Sequence, residues 1–183
     1  MSELPKDSDF PKTVGKGRMR SRDRSLSRAD KRAAARLAAV QALYQMDLAA
    51  KGLNEVFAEF ESFWMGREIE GEQYKPAEAA LFRAILEGVL GDQVALDRAV
   101  DAVLSGWPLK RVEAIMRATM RAGAFELKHS ADVPVRVILS EYVDIASAFL
   151  EKDEVGMVNA VLDKLARDFR AEELAQPAAS REA

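Results

Sequence analysis

Apolar residues return at spacings of three and four in seven stretches of this chain, and no stretch shows the strict alternation of a half-buried strand. The first stretch places Leu37, Val40, Leu43, Tyr44 and Leu48 on one face, so the pattern predicts a helix that Ser27 or Asp30 caps and Gly52 ends. A second helix starts at Asn54 and carries Val56, Phe57, Phe60, Phe63 and Trp64, after which the polar run GREIEGEQYK reads as a long loop. Pro76 suits the first turn of a third, in which Leu81, Phe82, Ile85, Leu86, Val89 and Leu90 face inward and which Gly91 closes. Val94, Leu96, Val100, Val103 and Leu104 make a fourth that ends at SGWP. From Leu109 to His129, Val112, Ile115, Met116, Met120 and Leu127 keep the spacing of one continuous fifth helix. SADVP breaks it, and Pro134 opens a sixth with Ile138, Tyr142, Ile145 and Phe149 on its apolar face. LEKDEVG interrupts again, and Val155, Val158, Leu162, Leu165 and Phe169 form the cleanest stripe of all, before AEELAQPAASREA trails off polar. Seven amphipathic helices joined by short turns predict an all-α helical bundle, and the longer loops divide it into two subdomains that share a core.

Composition supports helix and removes most chemistry. Glycine and proline number only 10 and 6 in 183 residues, and no cysteine is present, which excludes disulfides, thiolate metal sites and cysteine nucleophiles. His129 is the single histidine, so no triad or metal cluster that needs two imidazoles can form. It falls where the fifth helix stops, a place where an imidazolium complements the helix dipole. Glu141 and Asp144 share a helix face, but without a histidine beside them they read as solvated carboxylates or partners of Lys or Arg. Neither a Gly-rich phosphate loop nor a nucleophile elbow occurs, so the chain reads as a non-enzyme without a cofactor or metal. No apolar run reaches the ~20 residues of a membrane span. MSELPKDSDF lacks the order of a signal peptide, and the expectation is a cytoplasmic protein without membrane contact.

Charge is distributed unevenly. Up to Arg36 there are 11 Lys and Arg against 5 Asp and Glu; beyond it there are 16 against 25. Residues 1–26 lack apolar periodicity and cannot bury enough surface to offset their chain entropy, so they read as a disordered basic arm, the alternative being a solubilising tail. Residues 27–170 form the helical domain, and 171–183 a flexible tail. Arg18, Arg20, Arg22, Arg24, Arg28, Lys31, Arg32 and Arg36 suit phosphate neutralisation and stacking on unpaired bases. Arg32 and Arg36 are i, i+4 neighbours, and with the apolar stripe inside, both are expected to face outward along a strand of RNA.

Four ordered motifs carry a resemblance. KRAAARLAAVQALYQMDL from Lys31, FRAILEGVL from Phe82, MRAGAFEL from Met120 followed by DVP, and MVNAVLDKL from Met157 are colinear with segments of the NusB family of transcription antitermination factors. The resemblance spans about residues 30–169. It implies two three-helix subdomains, no catalysis, and binding to the boxA element of ribosomal RNA leader transcripts together with the ribosomal protein NusE, within the RNA polymerase antitermination complex. Matched position by position, it makes Lys31, Arg32 and Arg36 RNA-contacting, with Arg28 upstream. Gln41 and Tyr44 fall on its polar motif positions, and Met157 and Asn159 on a second RNA-proximal patch. Tyr44 and Glu113 are the expected protein-facing pair, Glu113 on charge and exposure. The sequence departs from the family at Ala33 and Ala34, where arginine is frequent, at Met157, where an aromatic is, and at Ala160, where the motif has glycine. Such losses weaken phosphate contact, which the arm from Arg18 to Arg28 is placed to replace.

Other readings stay open from the residues alone. Gln41 and Tyr44 also suit the edge of a core, Asn159 a brace for the last helix, and Met157 a core position. A homodimeric helical scaffold with an incidental arm is one competing function. Another is an RNA-binding accessory domain related to those at the N-terminus of ribosomal RNA cytosine methyltransferases, without catalysis; the methyltransferase reading itself fails, since it needs a cysteine nucleophile and no cysteine is present.

Overall fold

The computed structural model describes residues 28–65 and 76–175. The arm over 1–26, the GREIEGEQYK stretch, the side chains of Phe63 and Trp64, and the end of the tail beyond residue 175 lie outside those residues. Among the described residues there are eight α-helices and no strand: α1 (Arg28–Ala49), α2 (Leu53–Met65), α3 (Pro76–Gly91), α4 (Gln93–Leu104), α5 (Ala114–His129), α6 (Val135–Phe149), α7 (Lys152–Phe169) and α8 (Ala171–Ala175). The all-α expectation holds.

Differences from the sequence reading have local causes. α1 ends at Ala49, before Gly52, because Ala50 takes the left-handed conformation at φ 52°. Gly52 instead accepts the Val56 N–H and starts α2. The expected continuous helix from Leu109 is split: Leu109–Arg111 form one 3₁₀ turn, and Val112 and Glu113 are extended (ψ 142° and 141°) before α5 begins. A stripe with helical spacing survives that split because Leu109 and Val112 still point into the core. The LEKDEVG interruption is confined to Leu150 and Glu151, and α7 starts at Lys152 under a reciprocal cap between Glu151 and Glu154. Residues 171–175 are helical where a flexible tail was expected. Arg170 explains it: the guanidinium donates to the carbonyls of Ser130 (3.2 Å) and Val133 (3.1 Å) and pairs with Glu173, whose carboxylate accepts the Val135 N–H at 3.1 Å. The start of α8 is thereby tied to the turn between α5 and α6.

α5 is the centre. It packs against α1, α3, α4, α6 and α7, while α1 also packs on α3 and α6 on α7. A helix touched on so many sides needs small residues, and α5 supplies buried Ala118, Ala122, Gly123 and Ala124 between Met116, Met120 and Leu127. At Gly123 a Cβ would run into Leu162 of α7, and at Gly88 of α3 it would run into the Phe125 ring. α1 approaches as closely through Ala35, Ala38, Ala39 and Ala42, all buried, alongside Val40 and Leu43. The alanines are the part of the core that stripe-reading misses. Leu48, Val94 and Phe149, expected inside, are exposed, because each lies near a helix end beyond the reach of the next helix.

Candidate nucleic-acid interface

α1 begins with three exposed residues, Arg28 to Asp30, and continues with half-buried Arg32. Lys31 is buried, as is Arg36. The expectation that Arg36 faces outward with Arg32 is therefore corrected: its side chain is 2% exposed. α5 brings Glu126 to it, with Nε and Nη2 donating to the two carboxylate oxygens at 2.7 and 3.0 Å. α6 adds Glu141 at 3.4 Å from Nη1, and the Tyr142 hydroxyl donates to the same Glu126 carboxylate at 2.7 Å. A guanidinium can leave water when a planar carboxylate meets its fork and further acceptors take its remaining donors. Burial draws the Arg36 pKa down, but the hydrogen bond and charge of Glu126, with Tyr142 and Glu141, outweigh it and hold the group above its ordinary value. Burial first, then the Glu126 charge, push the Tyr142 hydroxyl well above the ordinary phenol range, so it remains a neutral donor. Arg36 thus fixes α1 against α5 and α6.

One to two turns further along α1 a cleft of about 630 Å³ opens, lined by Gln41, Tyr44, Gln45, Glu59, Phe60, Glu113, Ile115 and Phe149. It brings together Gln41 and Tyr44, singled out by the family motif, and Glu113, singled out on charge and exposure. Sequence reading missed Phe149, 45% exposed at the end of α6, because it was assigned to the core. It also missed Gln45, whose buried Oε1 has no hydrogen-bond partner. No pattern in the sequence marks either residue. The cleft is half apolar and bordered by Glu113 and by Glu59, which Lys51 pairs, so its exposed apolar groups and the Glu113 carboxylate suit a partner with apolar and cationic groups.

α7 carries the other pair. Met157 is 41% exposed and Asn159 is exposed, so a core place for Met157 is ruled out. α1 and α7 both pack on α5.

Past the cleft, Asp47 receives Arg117 Nε at 3.0 Å and Arg121 Nη1 at 3.1 Å, while Arg121 makes a two-pronged pair with Asp97 of α4 at 2.6 and 2.8 Å. Burial lowers the Arg121 pKa less than Asp97 and Asp47 raise it, so the guanidinium stays charged. His129 ends α5 with its Nε2 2.8 Å from Asp92, which Lys128 also contacts at 2.7 Å. The two hydrogen bonds, Lys128 first, hold the Asp92 carboxyl below its ordinary value. Among the described residues no group of three His, Asp or Glu side chains is arranged to hold a metal.

Fold and site together define an all-helical bundle that presents surfaces: a cationic helix start, an open cleft and exposed side chains on its last long helix. The chain belongs to the NusB family, whose family model matches residues 33–167. A transcription antitermination protein NusB from Rhodopseudomonas palustris (strain TIE-1) is 64% identical over 150 residues, which cover 81% of this chain and 86% of that protein. Among solved structures, T. maritima NusB is similar with a TM-score of 0.66 at 24% identity, over 79% of this chain and 97% of that one. A NusB crystallised with NusE and double-stranded RNA gives a TM-score of 0.65 at 19% identity, over 76% of this chain and 98% of that one.

Proposed function

We propose that the chain is a transcription antitermination factor that binds RNA together with NusE. The observation that carries this reading is the 64% identity, over four-fifths of the chain, to a protein of that name. The RNA is the boxA element of ribosomal leader transcripts. Arg28 and Arg32 at the start of α1 contact its phosphates, with Gln41, Met157 and Asn159 as further contacts, while Arg36 holds the helix in place and Lys31, buried, is not a contact. The cleft beside Tyr44 and Glu113 takes NusE: the chain beyond Arg36 is acidic, and a basic ribosomal protein is steered toward it and away from the arm. The complex joins RNA polymerase without any catalysis by this chain. No described helix is long and apolar enough to cross a membrane.

Two RNA contacts joined in one complex raise each other's effective concentration, so the pair binds boxA more tightly than this chain alone, and RNA tightens the pair by the same factor. Calorimetry of each pair and of the ternary complex tests it; equal boxA affinity with and without NusE overturns the reading. Arg32→Ala sharpens it. That change should weaken RNA binding by about 1–3 kcal/mol with little change in melting temperature, since the side chain is only partly buried.

A further inference from the structure

The turn that joins α4 to α5 carries chemistry that the proposed interface does not use. α4 stops at Leu104 because Ser105 and Gly106 are both left-handed, at φ 47° and 92°. Two such residues reverse the chain at once, and the reversal throws Trp107 into solvent, 56% exposed. Pro108 follows, then the 3₁₀ turn in which Leu109 is buried while Lys110 and Arg111 are exposed. An indole and two cations therefore lie within five residues.

Their backbone is held from two helices. The Asp101 carboxylate of α4 accepts the Leu109 N–H at 2.6 Å. From α5 the Arg117 guanidinium donates to the carbonyls of Val112 at 2.9 Å and Leu109 at 3.4 Å, while its Nε holds Asp47 of α1. A segment fixed in this way loses little entropy when a ligand meets it.

We propose that the Trp107, Lys110 and Arg111 turn is a second contact for single-stranded RNA, with an unpaired base stacked on the indole and adjoining phosphates neutralised by the two cations. The proposal rests on the RNA-binding reading and extends it to the end of the bundle where α4 meets α5. Stacking on an indole tolerates any base, and nearby cations follow the backbone whatever its sequence. A protein partner fits less well. Of the residues beside the indole on this turn, Pro108 is half-buried, and Ser105, Gly106, Lys110 and Arg111 are exposed and polar, charged or without a side chain, so they form no broad apolar patch. Two cations also repel the basic partner proposed above. The turn runs directly into Glu113 on the cleft, so an RNA held beside a docked partner can continue onto it.

The test uses the full chain and a boxA RNA extended by a single-stranded flank, read by anisotropy of labelled RNA and by tryptophan emission. The chain has two tryptophans, Trp64 and Trp107. RNA should quench the emission, and the quench should vanish in Trp107→Phe while affinity is largely kept, since a phenyl ring still stacks. Trp107→Ala should bind about tenfold more weakly. Lys110→Ala with Arg111→Ala should lower the slope of log K against log salt by ~1.4. RNA bound at unchanged affinity by Trp107→Ala overturns this site alone, as does emission that responds to NusE and not to RNA. A chain that binds no RNA overturns the RNA reading and this site with it.

Discussion

At one end of the contact between α1 and α5, Arg36 meets Glu126 with side chains 2% and 0% exposed; toward the other, Asp47 meets Arg117 and Arg121 within reach of water. Both clusters pair an arginine with a carboxylate across the same two helices, yet their surroundings give them different work. Out of water an ion pair is strongly attractive, but both partners have given up hydration, so the pair contributes specificity of docking more than net stability. It also becomes intolerant of losing either member. In the wetter cluster the carboxylates are screened and Asp47 is shared by two arginines, so a lost member is partly replaced by water or by the neighbouring arginine. An arginine on a helix proposed to meet RNA can thus belong to the protein's interior, and any effect it has on binding then passes through the position of the helix.

The largest expected effect breaks the dry pair. Arg36→Ala leaves Glu126 buried without its cation and should cost about 3–5 kcal/mol in urea unfolding. Glu126→Ala should cost a similar amount, and the double variant less than the sum, which a double-mutant cycle measures. An Arg36→Ala protein as stable as the parent would show that the two clusters do not differ.

Next comes the wet cluster. Arg121→Ala should cost about 1–2 kcal/mol, because Asp97 loses its two-pronged partner while Arg117 still holds Asp47. Added salt should shrink this difference and leave that of Arg36→Ala nearly unchanged.

A smaller effect separates the hydroxyl from the ion pair. Tyr142→Phe should cost about 1 kcal/mol at neutral pH, since Glu126 keeps the arginine fork. The phenol pKa is raised on folding, so its contribution is complete below the ordinary phenol range near 10 and declines as pH rises above it. Stability measured through alkaline pH should fall for the parent more steeply than for Tyr142→Phe.

The smallest is at the end of α5. The Asp92 pKa is depressed, so the stability it adds is present above the unfolded carboxyl value of about 3.9 and lost as pH falls through the lower folded value. Asp92→Asn should lower the melting temperature slightly at neutral pH, and the gap should close in strong acid.

Much of this architecture was legible from residue order. Ile85, Leu86 and Val89, and Val158, Leu162 and Leu165, stand at helical spacing and are buried, because a stripe with a period of 3.6 has only one way to leave water. Pro76 and Pro134 mark helix starts for an equally local reason, their fixed φ. The site was legible in part. Gln41 and Tyr44 were named from the motif and Glu113 from its charge, and the three share one cleft, while nothing local marked Phe149 or Gln45 as part of it, since what exposes one and strands the other is the gap between α1, α2 and α5.

Residue order alone set most of the elements: which stretches coil, which face of each is apolar, where Pro76 and Pro134 start them, and that positive charge gathers before Arg36. Tertiary structure alone decided which charges remain available. Arg32 and Arg36 stand one turn apart on the same face, and helical periodicity treats them alike. Glu126 comes from 90 residues away and Glu141 from 105, and where they arrive an arginine is drawn inside. Spacing within a helix is a local property of the chain, whereas desolvation depends on what the rest of the chain brings alongside it, and only the packing of α5 and α6 on α1 supplies that.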